Sequence, residues 1–180
     1  MRDREKHTPE LSDAFSSIPR SGGHAVFVYG EAGIGKSTLI ENFLSGLDAT
    51  HVRAVAMCDP LNTPRPLGPV RDLTRALVGS KDKILDEAHF FEGFLHHLQN
   101  AKSPVVLVIE DLHWADQRSL DWLQFVARRL SQLPILLIGS YRDDEVDTSH
   151  PLRSALGTIP AARKSSIALA PLPLETIEDL

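Results

Sequence analysis

Val105-Val106-Leu107-Val108-Ile109 is a run of five aliphatic side chains that stops on two carboxylates, Glu110 and Asp111. A strand with one face in water alternates apolar and polar residues. A strand with no alternation is covered on both faces, as in a parallel sheet held between helices. Four further short apolar runs follow the same rule, at residues 25–29, 51–57, 135–140 and 166–170. Helical spacing lies between them. Ile84, Ala88, Phe91, Leu95 and Leu98 share one helix face, and Leu120, Leu123, Ala127 and Leu130 share another. Residues 38–44 are helical in pattern, and a further helix is expected over 70–78. Pro64, Pro66 and Pro69 make residues 62–69 an irregular loop. Strands alternating with helices predict an α/β chain built on one parallel sheet.

The connection after the first run narrows the choice. Gly30-Glu31-Ala32-Gly33-Ile34-Gly35-Lys36-Ser37 has the pattern G-x-x-x-x-G-K-S, between a strand-like run and a helix-like one. Such a loop cradles phosphate. The glycines bring backbone N–H groups close to anionic oxygens. Lys36 supplies a point charge for the β- and γ-phosphates, and Ser37 a hydroxyl for Mg²⁺. The N-terminus of the following helix, from Thr38 onward, favours negative charge. Nucleotide binding is therefore expected, with Gly30, Glu31, Ala32, Gly33, Ile34, Gly35, Lys36, Ser37 and Thr38 as contacts.

A phosphate loop needs acidic help for its Mg²⁺. Glu110 and Asp111 stand at the C-terminal end of their strand, where ligands bind in open α/β sheets. One carboxylate can hold Mg²⁺ and the other can polarise an attacking water; the residues alone do not divide these tasks. A third element closes the fourth run: Ser140-Tyr141-Arg142-Asp143-Asp144-Glu145. Arg142 would lie at the same sheet edge and could sense the γ-phosphate. Its rival role is a local ion pair with Asp143, Asp144 or Glu145.

The remaining features exclude more than they assign. The chain of 180 residues suits one domain. Its net charge of −5, without a basic block, argues against a nucleic-acid surface as its main feature. Cys58 is the sole cysteine, so no internal disulfide can form. It is expected to be a buried small residue. No apolar run approaches a membrane span, and the charged start Met1-Arg2-Asp3-Arg4-Glu5-Lys6 has no secretory core. A cytoplasmic location is expected. Asp116 suits the N-cap of a helix beginning near Gln117. Trp114 is expected to pack at the strand edge. His96 and His97 are expected at the surface, because adjacent helical residues point about 100° apart.

Taken together, Gly30–Ser37, the string Ile109-Glu110-Asp111-Leu112-His113-Trp114-Ala115-Asp116 and Ser140-Tyr141-Arg142-Asp143 resemble the AAA-type ATPase module of the STAND class. The likeness is to the domain at the N-terminus of large LuxR-family transcriptional regulators, related to origin-recognition-like AAA domains. Residues 58–69 and His150-Pro151-Leu152 are similar to further segments of that family. The resemblance implies a three-layer P-loop NTPase fold with a five-stranded parallel sheet in the order 5-1-4-3-2. It implies ATP with Mg²⁺, hydrolysed slowly as a conformational switch. Lys36 and Ser37 would contact phosphate and Mg²⁺, Glu110 or Asp111 would bind Mg²⁺ or activate water, and Arg142 would be the sensor. Where the family carries Gly-Arg-Glu, this chain has Asp3-Arg4-Glu5.

The expected organisation is a lead-in over residues 1–24, an ATPase core over 25–170 and the start of a truncated lid helix over 171–180. The expected partners are ATP and, through the ATPase face, a second copy of the chain. Direct contact of this segment with nucleic acid or membrane is not expected. The alternatives are an ATP-binding interaction module without turnover and, below it, a small-molecule phosphotransferase. A GTPase is disfavoured by the missing Asn-Lys-x-Asp motif.

Overall fold

The computed structural model describes residues 7–60, 66–78 and 87–170. Five strands form one wholly parallel sheet: β1 (His24–Tyr29), β2 (Arg53–Met57), β3 (Val105–Glu110), β4 (Ile135–Tyr141) and β5 (Lys164–Ala168). Their spatial order is β2-β3-β4-β1-β5, which is the expected 5-1-4-3-2. The helices are α1 (Thr8–Ser21), α2 (Lys36–Ser45), α3 (Gly68–Val78), α4 (Glu87–Gln99), α5 (Gln117–Ala127) and α6 (Pro151–Gly157).

Alternation along each strand sends side chains to opposite sheet faces, and two separate cores result. Val26, Val28, Val106, Val108, Leu136 and Ile138 meet Leu11 and Ile18 of α1 and Leu39, Ile40 and Phe43 of α2. Ala25, Phe27, Leu107, Ile109, Ile135 and Leu137 meet apolar residues of α3, α4, α5 and α6 on the other side. Each fully buried Leu, Ile, Val or Phe contributes about 1.5–3 kcal/mol relative to exposure. The three layers therefore hold the central strands firmly.

Several details depart from the expectations. Residues 8–21 of the expected lead-in are a helix, with Pro9 in its first turn, and it covers one face of the sheet. The helix expected through Leu130 ends at Ala127, and Leu130 opens a separate 3₁₀ turn. β5 lies two residues before the apolar run 166–170, because its pairing with β1 starts at Ala25 against Lys164. Coverage on both faces holds for β3 and for nearly all of β1 and β4. It fails at the sheet edges, where β2 alternates buried and exposed and most of β5 is exposed. Asp3-Arg4-Glu5, residues 61–65 of the irregular loop, Ile84, the Ala88 side chain and the expected lid residues 171–180 lie outside what is described.

Candidate functional site

The chemistry-bearing segments leave the C-terminal ends of three neighbouring strands. The glycine loop follows β1, Arg142 follows β4, and Glu110 and Asp111 close and follow β3. Since β4 lies between β1 and β3, Arg142 emerges between the loop and the carboxylates.

Gly30 takes φ 146°, and a Cβ there would lie 2.6 Å from the Leu169 carbonyl oxygen. That carbonyl is fixed, because the Leu169 N–H donates to the Tyr29 oxygen at 2.8 Å. Both the angle and the space demand glycine. Glu31, Ala32 and Gly33 are exposed at the crest of the loop, and Ile34 is half-buried. Gly35, at φ 102°, is the N-cap of α2 and offers no side-chain capping bond. The first N–H groups of a helix have no partner within it, so this end is open to an anion. Lys36 is 7% exposed. Its Nζ donates to the Gly30 oxygen at 2.7 Å and the Glu31 oxygen at 2.8 Å, folding the side chain back over the loop. Burial lowers its pKa, while the Asp111 carboxylate pulls the other way and Arg142 adds to the lowering.

Glu110 is 6% exposed, and its Oε2 accepts a hydrogen bond from Ser37 Oγ. Asp111 has a left-handed backbone, φ 56°, and its N–H donates to the buried Ser140 Oγ at 3.1 Å. Consecutive carboxylates are thereby separated: Glu110 faces the start of α2, and Asp111 turns out at the head of a 3₁₀ turn over Leu112–Trp114. Close approach of that turn to the sheet depends on Gly139. A Cβ there would lie 2.5 Å from Leu112 Cδ1 and 2.8 Å from the Phe27 ring.

Arg142 is engaged. Its Nη1 donates to Glu145 Oε1 at 2.5 Å, its guanidinium carbon lies 5.0 Å from the centre of the Trp114 ring, and its N–H donates to His113 Nδ1 at 3.4 Å. The rival ion pair is thus present, with Glu145 as the partner. Trp114 packs as expected and also carries the guanidinium. His150 caps α6 through Nδ1, which accepts from the Leu152 N–H at 3.1 Å. Nε2 therefore carries its proton and donates to the His113 oxygen at 3.1 Å.

Asp116 caps α5 as expected. Its Oδ1 accepts from the Ser119 N–H at 3.1 Å and the Leu67 N–H at 3.2 Å, tying the start of α3 to α5. Cys58 is buried, and burial, reinforced by the Asp116 and Asp111 charges, pushes its thiol up to about 12, which keeps it inert. His96 and His97 are exposed. Beside the site, Tyr29 and Tyr141 stack with ring centres 5.4 Å apart at the edge of a cavity of about 490 Å³ that Arg153 and Lys164 also line.

The donor set suits Mg²⁺ bound with a nucleotide. Among the described residues no three His, Cys, Asp or Glu side chains come together as a metal cage. Mg²⁺ in nucleotide sites takes one or two protein oxygens, with phosphate and water completing its shell. Ser37 and Glu110 already touch, and the uncapped helix end and Lys36 stand beside them. Two participants carried no plain sequence signal. Ser140 was legible only as a polar residue ending an apolar strand, and His113 only as part of a string.

Residues 2–138 match the family model described as "AAA ATPase domain". Among solved structures, the chain is similar to Cdc6p from Pyrobaculum aerophilum, with TM-score 0.68 and 18% identity over 98% of this chain and 47% of that one. It is similar to the Aeropyrum pernix ORC1 protein, solved in complex with DNA, with TM-score 0.65 and 14% identity over 98% of this chain and 47% of that one. It is also similar to the RuvB Holliday junction branch migration motor of Thermotoga maritima, with TM-score 0.53 and 18% identity over 97% of this chain and 48% of that one. The curated "Uncharacterized protein R02095" of Rhizobium meliloti (strain 1021) is 37% identical over 59 residues, which are 31% of this chain and 6% of that protein. The chain thus spans less than half the length of each of these relatives. Among the described residues no helix is long and apolar enough to cross a membrane.

Proposed function

Because this chain belongs to the AAA ATPase domain family, we propose that it binds Mg-ATP across the ends of β1, β4 and β3 and hydrolyses it slowly, as a nucleotide switch. The observation that carries this reading is the contact between Ser37 and Glu110. It joins the phosphate loop to the acidic strand end, with Lys36 and Arg142 within electrostatic reach of each other.

The roles follow from position. Backbone N–H groups of residues 30–38 and the N-terminus of α2 would hold the phosphates. Lys36 would exchange its two loop carbonyls for phosphate oxygens. Ser37 and Glu110 would hold Mg²⁺, which would supply positive charge to neutralise the bound phosphates. Asp111 is turned out of line with Glu110 by its left-handed backbone and would orient and polarise the water. Arg142 would meet the γ-phosphate.

The string from Glu110 to Asp116 supports a place in a signalling or LuxR-type transcriptional regulator. There the switch would work through further domains and through a second copy at the ATPase face. A second reading, ATP bound without turnover, is favoured by the pairing of Arg142 with Glu145.

Two measurements test the proposal. Titration calorimetry should show ATP binding that Lys36→Ala abolishes while circular dichroism stays unchanged. Equal affinity in the variant would refute the phosphate-loop assignment. Phosphate release lost on Asp111→Asn supports turnover, and release no higher than background in the unmodified protein supports the second reading.

A further inference from the structure

Glu145 stands between two donors. Oε1 accepts from Arg142 at 2.5 Å. The second donor waits. His113 Nδ1 accepts the Arg142 N–H, so the proton of the neutral ring sits on Nε2. That nitrogen is buried, with 1% of the side chain exposed, and has no hydrogen-bond partner among the described residues. It lies 3.7 Å from Glu145 Oε2, less than about 1 Å beyond hydrogen-bond range. A buried donor left unmade in this way is uncommon and costly.

Resting on the nucleotide-site reading above, we propose that Glu145 is a specificity-determining residue: an internal carboxylate that holds Arg142 until a γ-phosphate takes the guanidinium, and then passes to the His113 Nε2–H. Three observations carry this. Arg142 lies close enough to Lys36 for their charges to disfavour one another, and a carboxylate held on Arg142 eases this alongside the Asp111, Asp143 and Asp144 charges. Glu145 is three residues from Arg142 and partly exposed, so it can move without disturbing the core. The open donor on His113 gives the displaced carboxylate a second resting place, and the change of partner costs little.

ADP does not bring the group that competes with Glu145, whereas ATP does. Glu145 therefore subtracts from the affinity for ATP and leaves that for ADP unchanged, setting the ratio at which the site distinguishes them. Glu145→Gln removes the charge and leaves a neutral acceptor, which loosens the hold on Arg142.

The experiment is calorimetric titration of ADP and ATPγS with Mg²⁺ into the unmodified protein, Glu145→Gln, Arg142→Ala and the double variant. Glu145→Gln should raise the ATPγS-to-ADP affinity ratio roughly two- to fivefold, the range of an exposed ion pair. The same change on the Arg142→Ala background should leave the ratio unaltered. ATPγS, but not ADP, should change Trp114 fluorescence, and Arg142→Ala should abolish that change. If the unmodified protein binds neither nucleotide, the site reading itself fails. If it binds both, and Glu145→Gln leaves the ratio unchanged or shifts it equally without Arg142, the role given to Glu145 is overturned.

Discussion

Ser37 Oγ donates a hydrogen bond to the Glu110 carboxylate across 73 positions of sequence, joining the first turn of α2 to the end of β3. A carboxylate buried to this degree needs such a donor. Ser37→Ala should therefore lower stability by about 1.5–3 kcal/mol, the usual worth of a hydrogen bond to a charged group. It should also remove the Mg²⁺-dependent part of ATP affinity. Glu110→Gln keeps an acceptor for the hydroxyl, so it should lose the Mg²⁺ dependence with a smaller stability change. Urea denaturation and calorimetry with and without Mg²⁺ separate the two effects. Equal stability losses in both variants would contradict this account.

Gly139 lies opposite Phe27 on β1 and Ile109 on β3, beneath the Leu112 side chain. Leu112 can yield, but the Phe27 ring is buried and cannot move freely. Gly139→Ala should cost about 1–3 kcal/mol by overpacking. A chemical denaturation midpoint equal to that of the unmodified protein would show that the sheet gives way here more easily than the geometry implies.

Asp116 holds the α5 N-terminus and the Leu67 N–H with one oxygen. Asp116→Ala should lose about 1–2 kcal/mol, in the range of a lost helix cap. Asp116→Asn, which retains Oδ1 as an acceptor, should lose less. Thermal melts of the pair check the order, and reversal of it would place the stabilisation in the charge rather than in the cap.

His24 opens β1, with Nε2 3.0 Å from Ser165 Oγ. Burial first, and the Arg163 charge second, lower its pKa below 6.5. Above that value neither the folded nor the unfolded chain is protonated here, and the contribution to stability is fully present. As pH falls through 6.5 toward the folded pKa the unfolded chain takes up its proton first, and stability is lost. The urea midpoint should drop between pH 7.5 and 5.5, and His24→Gln should drop less. Identical slopes would assign the loss to other groups.

The parts legible in sequence are those whose determinants are local. The loop from Gly30 to Ser37, with its strand and helix, is specified by adjacent residues, and the burial of β3 by five side chains in a row. The helix α1 was also legible in Pro9, Leu11, Phe15 and Ile18, whose spacing is helical, yet residues that precede a strong motif read easily as a lead-in. The half-exposure of β2 and β5 was not legible. Being at an edge is a property of the sheet, and no residue in Arg53–Met57 states which strand will lie beyond it. The partner of Arg142 was one of three adjacent acids. The choice of Glu145, and the approach of His113 across 32 positions to it, required the fold.

The strand order carries a timetable. Among the described residues β1 pairs only with β4 and β5, both of which come more than a hundred residues later. On a ribosome the glycine loop emerges well before β4 and has no sheet to stand on until Tyr141 has been made. β3, already paired with β2, must then accept β4 along its open edge. Closing such long-range pairs is slow. The ground on which the glycine loop stands is therefore completed only after β4 has been made, more than a hundred residues behind the loop itself.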